Sequence, residues 1–317
     1  MIEVIFTACP PGQDPSGAVE LPKSVDRPAQ LVRLTAEALV ASPQLQTCFD
    51  SVLYEFGHLH MTLNGLEDLA WKTTDWVTWL QQEPIRVHIT IMLNEDRWGS
   101  MNRHPDASRR INLSWALASA ASVGPTREPD TKSTPSFLQE IVPTSHSVIS
   151  PLPAAFYKFC LVMATLHELF HLVNYKLFPE HGSPVLDGGS QGLEDGGTAM
   201  ESRLLGGRMV SEWVTGHEGK FAYLCGLFIR AQHGDIQITH DDVQGFLAEV
   251  HAGRGLFSWN LTRLKRPVEP LGEGRVRTFA LDIKLPHPTL IDSGRKVVGL
   301  SPGYTRVSML ERCHEAY

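Results

Sequence analysis

The chain has 317 residues, 42% of them hydrophobic and 20% charged, with 28 basic and 35 acidic residues giving a net charge of -7. Such a chain can bury a sizeable core as one large domain or two ordinary ones, and its mild acidity, without a Lys/Arg run, argues against nucleic acid as the main partner. No stretch of about 18 uninterrupted apolar residues is present to span a bilayer, so no membrane partner is expected. Cys9, Cys48, Cys160, Cys225 and Cys313 lack CxxC spacing and fit free thiols of a reducing compartment. The N-terminus, MIEVIFTACPPGQ, has neither the basic nor the long apolar region of a signal peptide. The expectation is a cytoplasmic protein.

Residues 10 to 29 are rich in Pro, Gly and Asp and read as an extended lead-in. Apolar positions recur at helical spacing over 27–41 and, with three tryptophans, over 65–82. Residues 85–93 (IRVHITIML) alternate and are β-branched, which predicts a strand, and 110–117 (RINLSWAL) predict a second. Residues 124–150 read as a long Pro/Ser/Thr-rich loop.

From Leu152 to Leu177 the chain has no internal breaker beyond Pro153, which fits a first helical turn as Pro151 does, with Ser150 placed as N-cap. The run stops before Phe178-Pro179, where the restriction ahead of proline ends helices. Between Phe159 and Val173 it is apolar on nearly every face, the pattern of a helix buried all round. Residues 179–197 form a Gly-rich connection, and Thr198–Leu205 reads as a helix stopped by Gly206-Gly207. Helical patterns follow over 218–233 and 240–252, the latter with Thr239 as N-cap, and 275–284 predict a strand.

The buried helix carries His167-Glu168-Leu169-Phe170-His171, an H-E-x-x-H motif. Side chains four apart share a helix face about 6 Å apart at Cβ, so both imidazoles can point at one ion. Glu168 lies about 100° round the helix, where its carboxylate can reach a water on the open side of that ion. Metal-assisted hydrolysis needs this division of labour: two imidazole ligands and one carboxylate to take a proton. Zinc would lower the pKa of its water to roughly 7, and Glu168 would pass the proton to the leaving group.

A third ligand must come from farther along, because Leu177 stands where a third histidine would continue the motif. Glu201 is the first choice, on a short helix flanked by Met200, Leu204 and Leu205 that can return over the first. Glu194 and Asp195 compete for the place. Asp195 reads instead as a carboxylate that orients one of the histidine rings, and both acids suit a helix start.

HELFH followed by a glutamate on a second helix resembles the gluzincin branch of zinc metallopeptidases, to which thermolysin-like enzymes belong. There a glycine four residues before the ligand glutamate leads into its helix, matched by Gly197 and Glu201. The segment EDGGTAMESRLLGG is also similar to a group of uncharacterised fungal proteins that carry H-E-x-x-H. The resemblance covers about residues 85–207. It implies a zinc ion held by His167, His171 and Glu201, an extended peptide or amide substrate, and a two-lobed fold with the cleft between lobes. It also implies an edge strand that pairs with substrate, for which 110–117 is the candidate. Leu205 departs from the pattern, since many gluzincins have an aspartate there.

The expected architecture is therefore α+β and zincin-like. Residues 1–178 would form a lobe with a small mixed sheet and the HELFH helix, and 179–317 a mainly helical lobe with the third ligand. For the oxyanion stabiliser, His217 is the first choice and Tyr223 a comparable one, with His233, His240 and His251 also beyond the metal segment. Trp98 and Asn102 could line the cleft, and His58 and His60 form an H-x-H pair that solvent explains as well. Two other readings stay open. E-x-x-H recurs at Glu55-Phe56-Gly57-His58 and Glu311-Arg312-Cys313-His314, which could build a di-iron carboxylate site, and the metal could instead stabilise a non-catalytic binding protein.

Overall fold

A computed structural model of the chain describes residues 2–8, 19–20, 27–64, 72–90, 98–101, 109–122, 152–178, 185–187, 193–215, 221–231, 234–253 and 275–279. Buried Val4 and Phe6 alternate with half-buried Ile5 and Thr7 in the strand Val4–Ala8 (β1), which pairs with Val19–Glu20 (β2). Helix Arg27–Ala41 (α1) occupies the expected residues. The next helix, Pro43–Asn64 (α2), was not anticipated. Its Pro43 sits in the first turn, where no N–H is needed, and Leu45, Phe49, Val52, Leu53 and Phe56 are all buried at helical spacing. Of the stretch expected as helix over 65–82, Lys72–Gln82 (α3) is helical and 65–71 lie outside the described residues. Arg109 closes the end of α3, its guanidinium donating to the carbonyls of Trp79 at 3.1 Å, Leu80 at 3.2 Å and Glu83.

Ile85–Thr90 (β3), Gly99–Met101 (β4) and Arg110–Ser114 (β5) complete a mixed five-stranded sheet of order β2-β1-β3-β5-β4. β1, β3 and β5 are parallel, and β2 and β4 are antiparallel edges. The strand expected over 110–117 stops at Ser114, whose hydroxyl accepts from the Leu117 amide at 3.4 Å and starts the helix Trp115–Ser122 (α4). It is also an interior strand rather than the edge, because β4 covers its outer side. The inner face of the sheet is apolar, with Val4, Phe6, Ile85, Val87, Ile89, Ile111 and Leu113 all buried.

Against that face lies Ala154–Leu177 (α5), 24 residues long and buried almost continuously from Phe159 to Asn174. By length and composition α5 could cross a membrane, but 83% of its most apolar window is buried inside the fold, as a core helix requires. The Gly-rich connection holds a hairpin of Val185–Asp187 (β6) and Leu193–Asp195 (β7), followed by the helix Gly196–Leu205 (α6) packed on α5. Gly206, at φ 74°, ends α6 in the left-handed conformation glycine adopts without strain.

Beyond α6 the described residues are mostly strands rather than the expected helices. Arg208–Thr215 (β8), Phe221–Ala231 (β9), Gly234–Gln237 (β10) and Arg275–Phe279 (β11) form an antiparallel sheet of order β10-β9-β8-β11. Within the helix expected over 218–233, Phe221–Ala231 is instead the strand β9. Its sequence FAYLCGLFIRA is rich in aromatic and branched residues, and an apolar run of this kind satisfies a buried strand as well as a helix. Buried Glu212 on β8 fixes β11, accepting from Arg275 at 3.1 Å and Arg277 at 2.6 Å. Helix His240–His251 (α7) starts as expected at Thr239, whose side chain and that of Asp242 form a capping box. Most of the buried apolar residues described make one cluster from Ile2 to Val250.

Candidate metal centre

One turn apart on α5, His167 and His171 turn their Nε2 atoms toward each other, 3.0 Å apart. Their rings are inclined at 69°. His167 is 4% exposed and His171 slightly more open. Asp195 Oδ2 lies 3.7 Å from His167 Nε2 and 3.6 Å from His171 Nε2. Two imidazole nitrogens and one carboxylate oxygen therefore converge on one point within 4.8 Å of one another. Among the described residues this is the group whose spacing could hold a metal ion.

Local structure explains why Asp195 is there. It ends β7, opposite Val185 in the hairpin, and is the N-cap of α6 with extended backbone, φ −72° and ψ 166°. Its Oδ1 accepts from the Thr198 amide at 2.8 Å, which satisfies one of the open donors of the first helical turn. With Oδ1 committed to the helix, Oδ2 is left facing the two imidazoles.

Glu201 does not join this group. Its Oε1 lies 3.0 Å from Nδ1 of His167, on the opposite edge of the ring from Asp195. The structure thus brings Asp195, which the sequence suggested as an orienting carboxylate, to the Nε2 side of the two rings, and the expected ligand Glu201 to Nδ1 of His167. Asp195 precedes the helix and reaches the open end of the histidine pair. Glu201, more than a turn inside α6 and 4% exposed, meets the flank of α5. A carboxylate accepting from Nδ1–H leaves the Nε2 lone pair free for a cation.

Gly197 has a contact reason for being glycine. A Cβ there would stand 2.5 Å from His167 Cε1 and 2.6 Å from both ring nitrogens, so α6 lies flat on the imidazole. Gly99 does the same for Glu168: a Cβ would stand 2.6 Å from its Cγ and 2.7 Å from Oε1. Gly99 lies on β4, which among the described strands takes the edge position expected of 110–117. Glu168 is 4% exposed.

Charge balance in the group is set by these contacts. Burial alone would depress the His167 pKa. The Glu201 hydrogen bond and the charges of Asp195, Glu201 and Glu168 together outweigh it and push the value up to about 10. Burial alone would raise Asp195, but its contacts with His171, His167 and the Thr198 amide hold it well below the usual carboxylate range. A cation is welcome in such a cluster, and a proton on His167 takes that place when no metal does. Two imidazoles and a carboxylate suit zinc and, equally, other first-row divalent ions.

Of the residues singled out in the sequence, His217, His233, Asn102, Glu311 and His314 fall outside the described residues, as do the side chains of His58, His60, Glu194 and Tyr223. Glu55 pairs with Arg203 across α2 and α6, which accounts for Arg203 without Glu201. His240 meets Gln244 at 3.3 Å on the surface, and His251 meets the Leu247 carbonyl at 2.6 Å. Trp98 is buried at 3% exposure immediately before Gly99. No motif marks Gly99, which only the strand pairing reveals.

No family model, curated protein or solved structure matches this chain.

Proposed function

We propose that the protein is a metal-dependent hydrolase, a zinc peptidase or amidase in which His167, His171 and Asp195 hold the ion and Glu168 is the general base. The observation that carries this reading is the convergence of His167 Nε2, His171 Nε2 and Asp195 Oδ2 beside a buried glutamate of the same H-E-x-x-H helix. A bound zinc ion would supply Lewis-acid polarisation of a carbonyl and an acidified water. Glu168 would take a proton from that water and deliver it to the leaving amine. Glu201 would keep the His167 ring in the tautomer that presents Nε2.

The position of β4 at the end of the sheet, among the described strands, supports an extended substrate. An edge strand offers unpaired backbone groups to a peptide laid beside it, and Gly99 places this edge against Glu168. With Asp195 at the ligand position, the likeness to gluzincins rests on HELFH and the Gly197–Glu201 helix rather than on a glutamate ligand.

The test is zinc content together with cleavage of a mixed peptide library by purified protein, compared with Glu168→Gln. The reading predicts about one bound zinc in both proteins, and cleavage by the wild type that the variant loses by about 100-fold or more. Equal turnover by both, or no metal in either, would contradict it.

A further inference from the structure

The outer face of the five-stranded sheet, turned away from α5, carries a second arrangement of polar groups. Register places Thr7 beside His88, His88 beside Asn112, and Asn112 beside Ser100, so one row crosses four strands. In the next row Arg86 stands directly beside Arg110. Asn112 Nδ2 donates to Ser100 Oγ at 3.3 Å. Thr7 Oγ1, His88 Nδ1 and Arg110 Nε are buried without a hydrogen-bond partner, and His88 is only 8% exposed.

Like charges side by side on neighbouring strands are unfavourable, and buried donors without acceptors are more so. Among the described residues no carboxylate pairs with Arg86 or Arg110. The groups gathered here can all donate: two guanidinia, a hydroxyl, an imidazole and an amide. Burial, then the charges of Arg110 and Arg86, depress the His88 pKa to about 4, so the imidazole is neutral near pH 7. Arg86 is exposed and Arg110 half-buried, so the guanidinium pair lies toward solvent beside the buried row.

We infer that this face binds an oxyanion, the phosphate or carboxylate group of a ligand, between Arg86, Arg110, His88 and Thr7. Paired guanidinia fork onto such oxygens bidentately, and an acceptor there satisfies the buried hydroxyl and imidazole together. The site is separate from the metal centre, because its residues point from the opposite face of the sheet.

The experiment is calorimetric titration of the full chain with inorganic phosphate and, separately, with acetate, for wild type, Arg86→Gln and Arg110→Gln. Metal content is measured alongside and should be the same in all three. The expected result is saturable binding of at least one anion, weakened about tenfold or more in each variant. Stronger binding of phosphate marks a phosphoryl ligand, and stronger binding of acetate a carboxylate. If Arg110→Gln fails to fold, the exposed Arg86→Gln decides alone. Absence of saturable binding by either anion, or wild-type affinity in the folded variants, would overturn the inference.

Discussion

Glu201 Oε1 lies 3.0 Å from Nδ1 of His167, on the edge of the ring turned away from Asp195. The contact separates two carboxylates that look interchangeable in sequence. One holds a ring in place, and the other faces the point where the ring nitrogens meet.

If Glu201 positions His167, Glu201→Ala should weaken metal binding by about 10–100-fold. Glu201→Gln keeps an acceptor for Nδ1–H and should recover much of that loss. Chelator competition with a zinc dye measures both. Equal losses in the two variants would point to a direct ligand role for Glu201 instead.

Asp195→Asn should cost more metal affinity than Glu201→Ala, by more than about 100-fold, since it removes the only carboxylate in the converging group. Asparagine caps helices as well as aspartate does, so the cap of α6 should survive, and the metal-free protein should lose only what the Asp195 charge contributes beside the two histidines. Asp195→Ala should lose the cap as well, about 1 kcal/mol, measured by urea unfolding.

The two close-packed glycines should separate metal binding from catalysis. In Gly197→Ala the new methyl displaces the His167 ring, and metal affinity should fall by at least about tenfold. In Gly99→Ala it displaces the Glu168 carboxylate. Metal content should persist while hydrolysis drops by about 100-fold, the scale of a misplaced catalytic group. Zinc analysis and peptide cleavage on the same preparations distinguish them.

Metal-free protein should be less stable in alkali. The His167 pKa rises from 6.5 to about 10 on folding, so the folded state keeps a proton that the unfolded chain releases. Its contribution is complete below about pH 6.5 and is lost as pH rises through about 10. Asp195, depressed on folding, contributes above the ordinary carboxylate range and loses that contribution as pH falls through its lower folded value. The urea midpoint of chelated protein should therefore decline between about pH 6.5 and 10. Bound zinc displaces the His167 proton and should flatten the decline. A flat or rising curve for the metal-free protein would contradict the charge balance described for this cluster.

The metal helix was legible because its signals are local: an apolar run, an i, i+4 histidine pair and a proline stop. α1 and α7 were legible for similar reasons, through periodicity and the Thr239 cap. β9 was not, because FAYLCGLFIRA buries as readily in a strand as in a helix, and pairing with β8 decides. The edge strand was misplaced because pairing order is a long-range property: β4 is three residues long and follows no motif. The placement of Asp195 and Glu201 depends on how α6 crosses α5. Spacing along the chain supplies both acids to the neighbourhood of His167 and cannot say which edge of the ring each will meet.

Asp195 as the third ligand is tested most directly by a crystal structure of zinc-loaded protein with anomalous scattering at the zinc edge. A single ion is predicted about 2.0–2.2 Å from His167 Nε2, His171 Nε2 and Asp195 Oδ2, with Glu201 still on Nδ1 of His167. An ion coordinated by Glu201 in place of Asp195, or no ion between the two imidazoles, would contradict the account.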